Sequence, residues 1–333
     1  MKAIQVRSPG SEFELVEIEV PQPGQDEVLI RVEACGVCHG ESVVKEGRFP
    51  GIKYPRVPGH EVIGIVDKLG SESKCWEVGQ RVGVGWHAGH CHHCLACRTG
   101  NFGACEDSLT TGLSSDGGYA EYMVARMDAL SPIPEGLDPV TAAPILCAGR
   151  TTFGALKHSD AKGGDLVAVH GFGGLGHLAV QYANKLGFRT AVISRNRDKE
   201  ELAHKLGAHH YIDSCTQDAG NELMALGGAK LILATAPDAK VISQLVGGLG
   251  RRGNLMIVTY VGEPMTLSPA ALLRGEGSIS GWVGGNPDDA LRFSALTKVM
   301  PMVEVYPLEH AAIAYERMMT AKVRFRAVLK IGG

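Results

Sequence analysis

Four cysteines stand close together in the segment HCHHCLACRTGNFGAC, residues 90–105. They are Cys91, Cys94, Cys97 and Cys105, spaced C-x2-C-x2-C-x7-C. Short C-x2-C steps let one tight loop point several sulfurs at one centre, and four thiolates make a closed tetrahedral zinc site. Free surface thiols and an iron–sulfur cluster are the alternatives, although the proline that follows the last cysteine in bacterial ferredoxins is absent. A closed site leaves no position for substrate, so we expect this zinc to stabilise the loop.

We expect neither the histidines beside these cysteines nor Cys35 to bind a metal. His90, His92 and His93 flank the cysteines, but four sulfurs already fill a tetrahedron, so we interpret these histidines as solvated loop residues. Cys35 and Cys38 form a C-x-x-C pair, which also occurs in thioredoxin-like proteins. Both follow a predicted strand rather than opening a helix, where a thiolate is stabilised, and we interpret Cys35 as packing.

A second set of metal-ligating residues is scattered along the chain. Cys38 follows the alternating stretch EVLIRVEAC, and His60 and Glu61 precede the apolar run VIGIV, so these residues stand at the ends of predicted strands. Cys147, in PILCAGRTTFGAL, offers a third soft ligand. A Cys–His–Cys set leaves the fourth position open, as in a catalytic zinc site. From the residues alone, His60 as an ordinary strand-end residue and Cys147 as a small buried hydrophobe remain alternatives.

A glycine-rich turn follows the predicted strand Asp165–His170. Gly171, Gly173 and Gly176 form the motif G-x-G-x-x-G, and Gly174 and Leu175 lie within it as further candidate cofactor-binding residues. Apolar residues at i, i+3 and i+4 then predict a helix that ends at Gly187, and RTAVIS predicts the next strand. Within a strand–turn–helix–strand unit, such glycines let the backbone approach a pyrophosphate at a helix N-terminus. We therefore expect a nicotinamide dinucleotide here, with a plain glycine-rich turn as the alternative.

The residues at the end of the second strand bear on the choice between NAD and NADP. An acid there would bind the 2′-hydroxyl of NAD, but this chain has Ser194, Arg195, Asn196 and Arg197, followed by Lys199. Two guanidinium groups are suited to a 2′-phosphate, which favours NADP(H) over NAD(H). The alternative is that both arginines are solvated and are neutralised by the neighbouring Asp198 and Glu200.

The elements that must position these residues differ along the chain. The first 150 residues are rich in strands and turns, whereas the middle alternates strand and helix, as a parallel doubly wound sheet does. The ending KVRFRAVLKI alternates like a strand and is expected to return to the first domain's sheet. Further predicted elements are the strands Leu231–Ala234, Asn254–Val258 and Ser278–Gly285 (the last a candidate subunit seam) and the helices Val241–Leu249 and Asp288–Val299.

The composition of the chain limits the class of protein and the partners that we expect. The chain has 333 residues, 44% of them apolar and 21% charged, with a formal net charge of −3, which is typical of a globular protein without a nucleic-acid or anionic-membrane partner. The start MKAIQVRSPGSEFELVEIEV lacks the apolar segment of a signal peptide, and no apolar run is long enough to span a membrane. We expect a cytoplasmic protein whose nine cysteines are metal ligands or free thiols.

Together these segments resemble the zinc-dependent medium-chain alcohol dehydrogenases. CGVCHGE, GHEVIG, the cysteine lobe, GGYAEY, CAGRTTFGAL and GFGGLG occur in that family's order over essentially the whole chain, with the greatest similarity to the cinnamyl alcohol dehydrogenase and bacterial aldehyde reductase subgroup. The resemblance implies an α/β protein in which a doubly wound Rossmann domain at 151–286 joins a β-rich GroES-like catalytic domain at 1–150 and 287–333, with a zinc lobe at about 87–110.

The resemblance also implies roles for single residues. It makes Cys38, His60 and Cys147 ligands of a catalytic zinc, with Glu61 as the alternative fourth ligand when substrate is absent, beside a structural zinc on the four-cysteine lobe. Four more positions match the family: His39 at the cofactor pyrophosphate, Thr151 against the nicotinamide, Arg326 at a cofactor phosphate, and Trp86 in the substrate pocket, where core packing is the alternative.

The chain departs from the family at the proton path. The family reads Cys-His-Ser/Thr-Asp where this chain reads Cys38-His39-Gly40-Glu41, so the hydroxyl that passes the alcohol proton is missing, and Val43 replaces a relay histidine. The longer Glu41 replaces the aspartate that orients the zinc-bound histidine. We expect water, positioned by Glu41, His39 or Ser42, to complete the path.

These observations predict a reaction. We expect a zinc enzyme, with two zinc ions per chain, that transfers hydride between NADP(H) and a primary alcohol or aldehyde, and that forms a homodimer or homotetramer. A polyol or secondary-alcohol dehydrogenase of the same superfamily, and a catalytically impaired cofactor-binding relative, are the alternatives; only the departures at Gly40 and Val43 support the latter.

Overall fold

The computed structural model describes residues 1–72 and 75–332. Its strands are β1 Lys2–Val6, β2 Phe13–Glu17, β3 Glu27–Val37, β4 Val62–Leu69, β5 Arg81–Val84, β6 His87–Gly89, β7 Leu109–Thr110, β8 Tyr122–Arg126, β9 Leu130–Pro132, β10 Leu166–His170, β11 Arg189–Ser194, β12 His210–Asp213, β13 Ala229–Ala234, β14 Leu249–Ile257, β15 Ser278–Gly281, β16 Val303–Pro307 and β17 Arg326–Lys330. Its helices are α1 Glu41–Glu46, α2 Leu95–Arg98, α3 Pro139–Ala142, α4 Ala148–Lys157, α5 Gly176–Lys185, α6 Glu200–Lys205, α7 Ala219–Ala225, α8 Ala239–Leu245, α9 Pro269–Gly275, α10 Pro287–Thr297 and α11 Ala311–Met319. Short 3-10 helices span Phe102–Ala104, Met127–Ala129, Ala143–Leu146, Val246–Gly248 and Leu308–His310.

The chain divides into two compact units. One comprises Met1–Cys147 together with the segment from Pro287 onward, and the other comprises Ala148–Asn286. Cys147 is therefore the last residue of the β-rich unit before the chain enters the second one. Among residues 1–72 and 75–332, none of the helices combines the length and hydropathy needed to span a bilayer.

The β-rich unit is built on a seven-stranded sheet. Its strand order is β16-β17-β3-β4-β5-β9, with β8 also pairing to β3. The last strand does return to this sheet, because β17 pairs antiparallel with β3 at Ala327 and Val37. Strand β3 is long and apolar and lies at the centre, where Ile30 and Val32 are buried in the unit's core. The sheet therefore brings the end of β3, the start of β4 and the chain's last strand together.

The second unit is a parallel six-stranded sheet in the order β12-β11-β10-β13-β14-β15. Chain order runs outward from β10 in both directions, which is the doubly wound arrangement expected from the alternating pattern. In such sheets ligands bind outside the carboxyl ends of the strands where the order reverses, here between β10 and β13. The core of this unit contains Ile193, Ile232 and Leu255 from three different strands.

Three predicted elements have different bounds in the structure. The helix predicted to reach Leu249 ends at Leu245, because a 3-10 turn follows and Leu249 already pairs with Ala229 in β14. Strand β14 accordingly begins earlier than Asn254, with a register shift in between. Strand β15 ends at Gly281 rather than near residue 285, where the chain turns through glycines with φ values of 95° and 123° that no strand adopts.

Candidate active site

The four cysteines of the lobe converge. Their sulfurs all lie within 4.8 Å of one another, with 3.5 Å between Cys94 and Cys97 and 3.9 Å between Cys91 and Cys97. A tetrahedron of thiolates about 2.3 Å from zinc has edges of about 3.8 Å, so these spacings fit the ion. The backbone N–H of Cys97 donates to the Cys94 sulfur and holds the pKa of that thiol at about 6, in favour of the ligating thiolate.

The scattered metal-ligating residues also converge. One ligand atom each from Cys38, His60, Glu61 and Cys147 lies within 4.8 Å of the others, and the two sulfurs are 3.8 Å apart. Strand pairing explains the meeting: Cys35 faces Val62 across the antiparallel β3–β4 pair, so residues just after β3 and just before β4 share one edge. Cys147 reaches the same edge from the end of the 3-10 helix Ala143–Leu146.

Glu41 sets the orientation of the His60 ring. Its Oε1 lies 2.7 Å from His60 Nδ1, and its Oε2 accepts a hydrogen bond of 2.8 Å from the backbone N–H of Cys38. The carboxylate therefore favours the tautomer with the proton on Nδ1, which turns the Nε2 lone pair to the cysteine sulfurs. Nε2 is buried and has no hydrogen-bond partner among the described residues, as a metal-ligating nitrogen requires. The longer side chain of Glu41 thus makes the contact expected of the family's aspartate.

The site is electrostatically prepared for a cation. The hydrogen bond from the Cys147 thiol lowers the pKa of Cys38 well below its usual range against the effect of burial, and His60 and Arg326 lower it further. Burial opposes the charge on His60, yet Glu41 and Cys38 together raise its pKa well above the usual value. The Cys38 thiolate and the proton held on His60 stabilise each other, and a divalent ion bound to both residues would displace that proton.

Arg326 and Glu61 form a buried ion pair that sequence reasoning missed. Glu61 is fully buried and Arg326 nearly so, and Arg326 Nη2 donates to Glu61 Oε1. Burial raises the pKa of Glu61 to about 7, opposed by Arg326, and Glu61 Oε2 has no partner among the described residues. A Cβ at position 36 would lie 1.9 Å from Oε2, so Gly36 makes room for this carboxylate. The two residues are 265 positions apart, and no local signal connects them.

The structure gives a steric reason for the glycine at position 40. A Cβ there would lie 2.8 Å from His60 Cε1 and 3.1 Å from Trp86 Cζ3. The Trp86 ring packs edge-on against His60 at a centroid distance of 4.8 Å and is half-buried. Of the residues expected to position water, His39 is exposed and Ser42 is buried. A hydroxyl-bearing side chain at position 40 would therefore crowd both rings in this arrangement.

A small cavity beside His60 is lined by one polar residue, Thr111, that the sequence analysis did not identify. The cavity measures about 10 Å³ and is lined by Gly40, Glu41, His60, Trp86 and Thr111, among others. Thr111 is 1% exposed, and its Oγ1 has no partner among the described residues. That volume corresponds to about one water molecule. In the sequence, Thr111 is only a polar residue near a short strand, and this pattern is too common to indicate a functional role.

The prediction that His90, His92 and His93 are solvated is wrong for His90. Its side chain is 6% exposed, and its ring stacks on Phe102 at a centroid distance of 4.2 Å. Phe102 covers His90 because the lobe turns back on itself, a long-range contact that cysteine spacing does not reveal. His92 and His93 are exposed, as expected.

The glycine motif makes the turn expected of a phosphate-binding loop. It connects β10 to α5, and Gly171 has a φ of 91°. A Cβ on Gly176 would lie 1.9 Å from the carbonyl oxygen of Gly171, so only glycine permits this packing, whereas the space around Gly173 is open. Thr235 fixes the turn by donating from Oγ1 to the carbonyl of His170 at 2.8 Å. Gly174 and Leu175 are half-buried within the turn, and Thr151 is half-buried on α4.

The residues after β11 are only partly available to a phosphate. Arg197 Nη1 lies 2.9 Å from both carboxylate oxygens of Glu200, as the solvated alternative anticipated. Lys199 Nζ donates to the carbonyl of Phe172 at 3.3 Å. Arg195 is exposed and forms no ion pair within the described residues, and Ser194 is half-buried. Asp213 accepts from the backbone N–H of Asn196 at 2.9 Å, so this acid is turned into the loop.

Comparison with known proteins identifies both units. The model of the alcohol dehydrogenase GroES-like domain matches residues 24–135, and that of the zinc-binding dehydrogenase domain matches residues 174–300. The alcohol dehydrogenase notN of Aspergillus sp. (strain MF297-2) is 45% identical over 310 residues, covering 92% of this chain and 91% of the relative.

Solved structures share the whole fold. The protein CAD from Helicobacter pylori, solved in complex with NADP(H), has a TM-score of 0.88 at 26% identity and covers 99% of this chain and 97% of its own. A protein described as an NAD-dependent alcohol dehydrogenase has a TM-score of 0.91 at 27% identity and covers 100% of both chains. Structures associated with either cofactor therefore resemble this chain to a comparable degree.

Proposed function

The chain belongs to the zinc-dependent medium-chain alcohol dehydrogenases, enzymes that act on small alcohols with zinc and a nicotinamide cofactor, and we propose that it interconverts primary alcohols and aldehydes with NADP(H). The observation that carries the proposal is the convergence of Cys38, His60 and Cys147, with His60 Nε2 left free on the side of the two sulfurs.

The chain's own residues divide the work at this metal. Cys38, His60 and Cys147 would hold a zinc ion, which when bound acts as a Lewis acid that polarises an alcohol or aldehyde oxygen. Glu41 fixes the orientation of the His60 ring through its contact with Nδ1. Glu61 lies within reach as a fourth ligand, but Arg326 holds one of its oxygens, so release of the carboxylate would leave a position for substrate. The cysteine lobe would hold the second zinc and take no part in the reaction.

Water takes the place of the missing hydroxyl in the proposed proton path. The cavity of about 10 Å³ between Gly40 and Trp86 suits one water molecule, and the Thr111 hydroxyl has no other partner among the described residues. We propose that this water, rather than a side chain at position 40, exchanges the proton of the alcohol. Thr111 acts as its hydrogen-bond partner.

The charges after β11 support NADP(H). Arg195 is exposed and without an ion pair among the described residues, and Asp213 is turned away into the backbone of its loop. A guanidinium without an ion pair recognises a phosphate by paired hydrogen bonds. When bound, the nicotinamide cofactor supplies or accepts the hydride.

Trp86 supports a primary rather than a secondary substrate. Its ring lies against His60 and borders the cavity beside the metal ligands. A large aromatic wall so close to the ligands leaves little room for a second substituent on the reacting carbon, which counts against secondary alcohols and polyols.

Initial rates with a panel of substrates test this proposal. Aromatic and aliphatic aldehydes, ketones and polyols are each compared with NADPH or NADH in the reductive direction, and with the oxidised cofactors for alcohols. We expect the highest kcat/KM for aldehydes with NADPH. Highest turnover of ketones or polyols, or a preference for NADH, would contradict the finer parts of the proposal, and no turnover of any substrate by protein carrying zinc would contradict its core.

Two further expectations remain proposals. Strand β15 is the edge of the parallel sheet, and Leu273 and Val283, near it in sequence, are 82% and 89% exposed, which supports association of two chains along this edge. Light scattering distinguishes a dimer or tetramer from a monomer. The cytoplasmic location expected from composition also remains a prediction.

A further inference from the structure

We propose that His90, His92 and Asp128 form an additional cation site, for a borderline transition-metal ion such as Zn²⁺, at the base of the cysteine lobe. The site shares no residue with the two zinc centres described above. It does not depend on the proposed reaction.

The ligand atoms face one another. His90 Nδ1 lies 3.7 Å from Asp128 Oδ2, and that oxygen is 3.0 Å from His92 Nε2. The atoms of His90, His92 and Asp128 all lie within 4.8 Å of one another. Tetrahedral ligands about 2.05 Å from zinc are separated by about 3.3 Å, so the observed spacings bracket those of a bound ion.

The donor atoms of this cluster determine the class of ion it would bind. Imidazole nitrogens with one carboxylate oxygen form a donor set that suits Zn²⁺, Ni²⁺ or Cu²⁺ better than Mg²⁺ or Ca²⁺.

The site lies where two distant segments meet. His90 and His92 follow β6 at the start of the lobe, whereas Asp128 belongs to the 3-10 helix that follows β8. The His90 ring is held by its stacking on Phe102, and His92 adopts a left-handed φ of 64° that places its ring beside Asp128. An ion here would fasten the entry of the lobe to the edge of the sheet.

Arg126 opposes the ion and makes the site weaker than the cysteine centre. Its Nε and Nη2 lie 3.2 and 3.3 Å from the two oxygens of Asp128, and Nη2 is 3.4 Å from His92 Nε2. Its Nη1 also contacts Asp26 at 3.0 Å. Because this cation shares the carboxylate, occupancy would follow the free metal concentration, and removal of the guanidinium charge would favour the metal.

Zinc counting and titration test the proposal. Tag-free protein carrying its resident zinc is analysed by native mass spectrometry and then titrated with ZnCl₂ by calorimetry. We expect one further ion per chain, bound at least about tenfold more weakly in His92→Ala and Asp128→Asn, since metal sites lose affinity on this scale even when only supporting residues change. Arg126→Gln should bind the ion more tightly. The melting temperature of the wild type should rise with added Zn²⁺.

His93→Ala is the matched control. His93 is a neighbouring exposed histidine whose nearest possible partners are Cys91 and Asp107, and Cys91 already belongs to the four-sulfur cluster. Loss of the further ion in His93→Ala but not in His92→Ala would assign it to that other group and overturn the proposal. Absence of a further ion in the wild type, or unchanged affinity in His92→Ala, would do the same. His92 is exposed, so its variant is expected to fold, which circular dichroism verifies.

Discussion

At the scale of single residues, one C-x-x-C pair contains a proposed zinc ligand, Cys38, and a residue that packs in the core, Cys35. Cys38→Ser should remove one zinc per chain and lower kcat/KM by at least about a hundredfold, because Lewis-acid stabilisation is worth several kcal/mol. Cys35 is fully buried, and burial raises its pKa well above the usual value, so Cys35→Ser should keep both zinc ions and most activity. Zinc analysis and initial rates check both variants; equal losses in the two would contradict the assignment.

Gly40 provides the second residue-scale prediction. An added methyl group would lie 2.8 Å from His60 Cε1, so Gly40→Ala should displace the ring and weaken zinc at Cys38, His60 and Cys147. We expect a loss of at least about tenfold in metal affinity, measured by competition with a chelator. Gly103→Ala, where nothing lies within 4 Å, should leave the affinity unchanged. Unchanged zinc binding in Gly40→Ala would show that the site accommodates a Cβ at position 40 and would contradict the steric explanation.

Residue chemistry could be predicted where it depends on type and spacing. The spacing of the lobe cysteines and the strand ends at Cys38 and His60 indicated two metal sites, and the structure brings both sets of side chains together. The Arg326–Glu61 pair, the Thr111 hydroxyl and the burial of His90 depend on contacts between distant segments. No local pattern encodes such contacts.

At the scale of elements, the cysteine lobe should depend on its metal for order. Its helix α2 has four residues, far too short to be stable alone, and the sulfurs form its core. Cys94→Ser should lower the melting temperature and expose residues near 91–105 to limited proteolysis, because metal binding supplies folding free energy. Activity per folded molecule should fall much less than in Cys38→Ser. A lobe that resists proteolysis without its zinc would contradict this role.

His170 at the end of β10 should make stability depend on pH. Burial lowers its pKa to about 4, below the value of about 6.5 in an unfolded chain, so the unfolded state binds more protons between these values. The contribution of His170 to the free energy of unfolding is complete above about pH 6.5. It is lost as the pH falls toward 4, and the total loss is about 3 kcal/mol. His170→Gln should flatten the dependence on pH of the unfolding free energy, measured by urea denaturation, over this window. A profile parallel to that of the wild type would contradict the assignment.

The bounds of elements were predictable where one signal dominated. The glycine turn, its flanking strand and helix, and the last strand β17 all follow from strong local patterns. The early start of β14 depends on a pairing with Ala229 that carries a register shift, and the early end of β15 depends on glycines whose φ could not be known from their type alone.

At the scale of the whole molecule, cofactor choice should follow the free charge on Arg195. Arg195→Gln should raise KM for NADPH by about tenfold, since a charged hydrogen bond contributes about 1.5–3 kcal/mol, and should leave KM for NADH unchanged. Arg251, an exposed arginine paired with Glu276 in the same unit, provides the control Arg251→Gln. Equal effects on both cofactors, or none, would remove the basis for NADP(H).

Composition constrained the whole molecule less than its motifs did. Its ordinary charge and apolar fraction excluded few possibilities, whereas two metal motifs and one glycine turn indicated the family by their order along the chain. The substrate could not be derived in this way, because Trp86 and the cavity beside it are shaped by residues from several strands and loops.

The most direct test is anomalous X-ray scattering at the zinc edge from crystals of the protein as purified. We predict one peak bonded to Cys38, His60 Nε2 and Cys147, and another within the four sulfurs of the lobe. A map with zinc in the lobe but none between Cys38, His60 and Cys147, from protein that still turns over an aldehyde, would contradict the account.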